Sequence, residues 1–118
     1  MGRLTTHVLD TANGVPAAGM AAKLYRIGSD GSASLLKAMT LDADGRADGP
    51  LLAGDEFQAG RYRLVFAVGD YFRRGGAELA DPPFLDEVAL DFGLASMGQH
   101  YHVPLLASPW SYSTYRGS

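Results

Sequence analysis

At 118 residues, with 47% hydrophobic and 19% charged side chains, the chain has the size and make-up of one folded domain, which excludes a disordered tail or linker. A net charge of −3 at pH 7 argues against nucleic acid or an anionic membrane as the main partner, and no apolar run approaches the ~20 residues of a membrane span. Without cysteine, disulfides and thiolate metal sites are excluded. The expected unit is one domain over residues 1–118. "MGRLTTHVLD" lacks the basic-then-apolar pattern of a secretory signal. The default location is therefore the cytoplasm, and a peroxisomal or periplasmic one would need an address outside this sequence.

Strand-like runs alternate with turn chemistry along the whole chain. "RLTTHVLD" is rich in Thr, Val and Leu and stops at the Asn13-Gly14 turn signal. "MAAKLYRIG" follows and ends at "SDGS". "ASLLKAMTL" leads into "DADGRADG", whose Asp44-Gly45 pair reads as a hairpin connection. "RYRLVFAVG" places Tyr62, Leu64, Phe66 and Val68 on one face, and "FLDEVALDF" does the same for Phe84, Val88, Leu90 and Phe92. "QHYHVPLLA" and "WSYSTYRG", separated by Ser108-Pro109, complete the set. About eight short strands at this spacing indicate an all-β sandwich or barrel. Only "GDYFRRGGAELADPP" departs from the pattern, with room for one helical turn.

Chemistry is sparse on spacing alone. His100 and His102 lie two apart on an expected strand, so both project from one face with Pro104 and Leu106. With a third histidine such a pair can hold zinc, but no nearby carboxylate supports one, and solvent-facing histidines are the commoner outcome. His7 sits mid-strand beside Val8 and Leu9, where a structural role is the default. Arg46 follows a turn and reads as a solvated charge. Arg73 and Arg74 read as a hydrated pair. Phosphate-cradling loops, the Gly-x-Ser-x-Gly elbow and a cysteine nucleophile are all missing from the sequence.

Three segments change that reading. "LTTHVLDTANGVPAAGM", "DADGRADG" and "HYHVPLLASPWSYSTYRGS" resemble the 5-hydroxyisourate hydrolase family, the transthyretin-like enzymes of urate breakdown. The similarity runs from residue 4 to the last residue, and the ending Tyr115-Arg116-Gly117-Ser118 matches the family's signature. The resemblance implies an eight-stranded, two-sheet β-sandwich with one short helix, assembled as a homotetramer that is a dimer of dimers. In such an assembly Leu9, Pro104 and Leu106 on the outer faces are covered by another subunit, and the final strand is a wall of the active-site cleft.

The family's functional residues carry over onto His7 of "THVLD", Arg46 of "GR", His102 of "HVPLL" and the tail from Tyr115 to Ser118. His100 has no assured counterpart. The implied reaction is hydrolysis of 5-hydroxyisourate to 2-oxo-4-hydroxy-4-carboxy-5-ureidoimidazoline. His7 and His102 would activate water, with the choice of base between them open. Arg46 would orient substrate and stabilise charge, Tyr115 would contact the ring, and Arg116 and Ser118 would position the strand end. The scheme needs no metal and no cofactor. The alternative is a non-catalytic carrier of small molecules like transthyretin, which lacks these histidines, this arginine and this ending.

Overall fold

The computed structural model describes residues 2–117. Among the described residues, nine strand segments form two sheets. One sheet contains β1 (Arg3–Asp10), β2 (Val15–Pro16), β5 (Leu52–Ala53), β8 (Tyr101–Ala107) and β9 (Tyr112–Thr114). Its order is β2-β1-β8-β9, with β5 also paired to β1. The other runs β4-β3-β6-β7, built from β3 (Ala21–Ile27), β4 (Ala33–Thr40), β6 (Gly60–Phe66) and β7 (Val88–Leu94). Among the described residues the all-β, two-sheet architecture with one short α-helix, α1 (Val68–Arg74), is the sandwich that the family resemblance implies, where the turn-punctuated pattern alone left sandwich and barrel open. The two segments beyond the seven quoted runs, β2 and β5, are two-residue pairings on β1 with no alternation of their own.

The two inner faces share one core. Leu4, Val8, Leu24, Leu64, Phe66, Leu90 and Leu105 are all buried in it, each from an alternate position of its strand. On β1 the even positions from Leu4 to Asp10 point inward, leaving Arg3, Thr5, His7 and Leu9 on the outer face. The parallel pairing of β1 with β8 sets Thr5 opposite His102, His7 opposite Pro104 and Leu9 opposite Leu106. That register, together with the period-2 alternation, decides which side chains share the outer face.

Several local expectations are corrected. Val68 opens α1 and does not extend β6, while Phe84 precedes β7 and is 76% exposed. Asp44-Gly45 does form a turn, but not a hairpin: after it the chain leaves β4 and reaches β1 of the other sheet through Arg46 and then β5. β9 covers only Tyr112–Thr114, because the tail leaves the ladder and pairs with β8 again only at Gly117. Pro104 is buried within the single chain, so of the three outer-face residues only Leu9 and Leu106 keep exposed apolar surface.

Candidate active site

Three separate segments converge on the outer face of the β1–β8 pair. β1 contributes His7 and Thr5. The Asp42–Arg46 turn contributes Arg46, whose backbone bridges that of His7. β8 contributes His102. The turn is fixed by its own chemistry: the Asp42 carboxylate accepts from the amides of Asp44 (2.9 Å) and Arg46 (3.1 Å), and the Asp42 amide donates to the Arg46 carbonyl at 2.8 Å. Gly45 carries φ +73°, and a Cβ there would stand 2.5 Å from the Val8 carbonyl oxygen. Only glycine lets the turn press this closely onto β1, which it does through a Val8 N–H to Gly45 carbonyl bond of 2.9 Å.

His102 is the most tightly defined member. Its Nδ1 lies 2.8 Å from the Thr5 hydroxyl. The Gly117 amide donates to the His102 carbonyl at 2.7 Å, so the tail runs across the base of the imidazole. Partial burial, first, and then the Arg46 charge and the neighbouring His7 hold the His102 pKa below the ordinary 6.5. These three causes favour a neutral ring at pH 7. Beside the cluster, a cavity of ≈ 290 Å³ is lined by Arg3, Thr5, Arg46 and Pro50 among others. The group offers cationic and hydrogen-bonding side chains to a planar, anionic ligand, with imidazoles able to handle a proton.

The remaining expected residues lie elsewhere. Arg116 stacks its guanidinium 4.2 Å from the centre of the Tyr101 ring and donates to Gln99 Oε1 at 2.8 Å and to the His100 carbonyl at 3.3 Å. Tyr115 is 60% exposed and lines a ≈ 390 Å³ cavity with Tyr101, Val103 and Leu90, at the open edge between β7 and β9. Ser118 lies outside the described residues. His100 is exposed and precedes β8, so it does not share a strand face with His102. Among the described residues no three His, Asp or Glu side chains converge as a metal site would require. Thr5 was not singled out from the sequence, where a mid-strand threonine reads simply as β-propensity. The signal available was its spacing of two from His7, which puts both on one face.

Comparisons with known proteins point to one family. The sequence profile of the HIUase/Transthyretin family matches residues 4–117. The chain is 62% identical over 118 residues to the 5-hydroxyisourate hydrolase of Mesorhizobium japonicum, covering 99% of this chain and 93% of that one. The structure of Klebsiella pneumoniae 5-hydroxyisourate hydrolase superposes with a TM-score of 0.81 at 35% identity, over 100% of both chains. Sea bream transthyretin, solved in complex with thyroxine, superposes at 0.87 with 29% identity, over 98% of this chain and 94% of that one. A structure of (S)-allantoin synthase superposes at 0.92 with 48% identity; 99% of this chain is covered, but only 44% of that longer one.

Proposed function

The chain belongs to the HIUase/Transthyretin family, and from that premise we propose how it works as a hydrolase of 5-hydroxyisourate. The substrate is a small molecule, opened at a cyclic amide. The observation that carries the reading is the meeting of His7, Arg46 and His102 on one outer face, from three segments far apart in sequence. Water attacks the ring carbonyl while the His7/His102 pair accepts its proton, and the Arg46 guanidinium holds the anionic oxygens as charge develops. Tyr115 and Arg116 lie away from the cluster within the single chain, so the part proposed for them, and for Ser118, in substrate contact depends on the assembly. No cofactor enters the scheme.

Likeness to a thyroxine-bound transthyretin supports the shared fold; the histidine–arginine cluster favours turnover over simple carriage. Ultraviolet monitoring of freshly generated 5-hydroxyisourate tests the point directly. Decay well above the spontaneous rate is expected, and identical curves with and without protein would leave the carrier reading in its place.

The assembly in this proposal is a homotetramer, a dimer of dimers. Its support is the site face itself, where Leu9 is 38% exposed and Leu106 half-buried beside the polar cluster. A fully active monomer in sedimentation would overturn it. Among the described residues no helix is long and apolar enough to cross a membrane. The proposed compartment is the cytoplasm, and recovery of the untagged chain in a periplasmic or peroxisomal fraction would reverse that.

A further inference from the structure

Thr5 and His102 are direct neighbours across the parallel β1–β8 ladder. The Thr5 Oγ1 stands 2.8 Å from His102 Nδ1, and this is its one hydrogen bond among the described residues. A hydroxyl there can donate to a bare Nδ1 or accept from a protonated one. A neutral imidazole carries a single N–H, and His102 is favoured neutral by its burial and by the charge of Arg46. If Nδ1 bore that hydrogen, the half-buried Thr5 hydroxyl would have no protein acceptor for its own, a cost that donation to Nδ1 avoids.

We propose that Thr5 is a positioning residue: its hydroxyl donates to Nδ1 and holds His102 as the neutral Nε2–H tautomer, a hydrogen-bond donor to the reacting carbonyl. This rests on the hydrolase reading and divides the labour that reading leaves shared. The water oxygen bonds to the ring carbonyl carbon, and the water proton passes to His7. The carbonyl oxygen becomes an oxyanion held by His102 Nε2–H and by Arg46. The oxyanion then re-forms the carbonyl and breaks the carbon–nitrogen bond, whose electron pair goes to the ring nitrogen. His7 returns its proton to that nitrogen, and the new carboxylic acid ionises to solvent. His102 never gives up its proton, so a neutral imidazole is the form required, since a charged one would repel His7 in its protonated state. Thr5 acts through His102 and does not touch the substrate.

The test combines ring spectroscopy with kinetics on the full-length protein. In 15N-histidine-labelled wild type at pH 7.5, ring 1H–15N correlation spectra should show His102 with a bare Nδ1 and a protonated Nε2. Thr5→Val removes the hydroxyl at nearly constant shape. It should mix the tautomers and lower kcat by about tenfold, with KM within about twofold of wild type. Thr5→Ser should restore both the spectrum and most of kcat. A wild-type His102 protonated on Nδ1 would overturn the proposal even if Thr5→Val failed to fold, and so would a Thr5→Val protein with undiminished kcat. The spectrum needs no turnover. A wild type with the expected tautomer but no loss of 5-hydroxyisourate would instead overturn the hydrolase reading, and with it Thr5's part in catalysis.

Discussion

Gly117 lies on His102. Its amide donates to the His102 carbonyl at 2.7 Å, and a Cβ built on Gly117 would stand 2.8 Å from the imidazole Cδ2 and 3.1 Å from the histidine Cβ. The glycine is therefore required by close approach: any side chain would push the ring or the tail away. Because His102 is also tied to Thr5 on its other flank, the ring has little freedom to yield. Gly117→Ala should lower kcat/KM by about tenfold, equivalent to about 1.4 kcal/mol of transition-state stabilisation, while the melting temperature hardly moves. Steady-state kinetics alongside thermal melts would check this, and a fully active variant would mean that the backbone contact has no bearing on the site.

Arg46 faces His102 as a fixed positive charge, and after burial it is the largest influence lowering the histidine's pKa. Arg46→Gln should raise the His102 titration midpoint in an NMR pH series and reduce kcat/KM by about 100-fold through the lost charge stabilisation. The sign for folding follows from the depressed pKa. An unfolded His102 takes its proton near 6.5, the folded one only at lower pH. The contribution is thus fully present above pH 6.5 and is lost as pH falls toward the folded value. Denaturant midpoints should drop less between pH 7.5 and 5.5 in Arg46→Gln than in wild type. An unchanged midpoint for His102 would remove Arg46 from its electrostatic role.

A third prediction separates scaffold from site. Asp10 closes β1 at 1% exposure, and its carboxylate accepts from the Tyr71 hydroxyl (2.8 Å), the Asn13 amide (2.9 Å) and Asn13 Nδ2 (2.8 Å). Burial, followed by this bond to Asp10, pushes the Tyr71 phenol up to about 12. Tyr71→Phe leaves a buried carboxylate one donor short, which should cost about 1–3 kcal/mol in equilibrium unfolding with kcat/KM untouched. The raised phenol pKa adds a pH signature. Its stabilisation is complete below the ordinary 10 and fades as pH rises toward about 12, so the gap between wild type and variant should narrow in strong alkali. Equal unfolding midpoints at pH 7 would show that solvent replaces the lost donor.

The sequence made the sandwich legible because β1 and β6 each bury one face, so their alternation is strong, and the turns are marked by Gly and Asp. It was silent on β2 and β5, since a two-residue pairing has no period. The Asp44-Gly45 turn could be read, but not its destination, because the pairing of Arg46 with His7 is a contact between segments nearly forty residues apart. His7, Arg46 and His102 were weak on spacing and stood out only through family likeness. The structure supplies the physical reason they belong together, namely the β1–β8 register and the turn pressed onto Val8. Thr5 stayed hidden because its role depends on which residue lies across the ladder.

The tail offers the last prediction. A chain ending after Thr114 loses Tyr115 to Ser118 but keeps β9, whose Thr114 hydroxyl still donates to the Pro104 carbonyl at 2.7 Å. What goes is the Gly117 amide bond to His102, the Arg116 contacts with Gln99 and the His100 carbonyl, and the guanidinium over Tyr101. Tyr101 remains buried at 7% exposure in the intact chain and keeps the amides of Ala95 and Ser96 on its hydroxyl, so the core beneath should hold. The lost bonds are mostly exposed and few, amounting to about 2–3 kcal/mol at most, at about 1 kcal/mol each. The effect on catalysis should be larger. Without Gly117 the His102 backbone is anchored on one side only, and a displacement of about 1 Å at a reacting group can cost roughly 100-fold in rate. The truncated protein should therefore keep its circular dichroism spectrum and its sedimentation behaviour, yet lose at least about tenfold in kcat/KM. Unfolding would make the tail a structural clasp, and normal turnover would take it out of the site altogether.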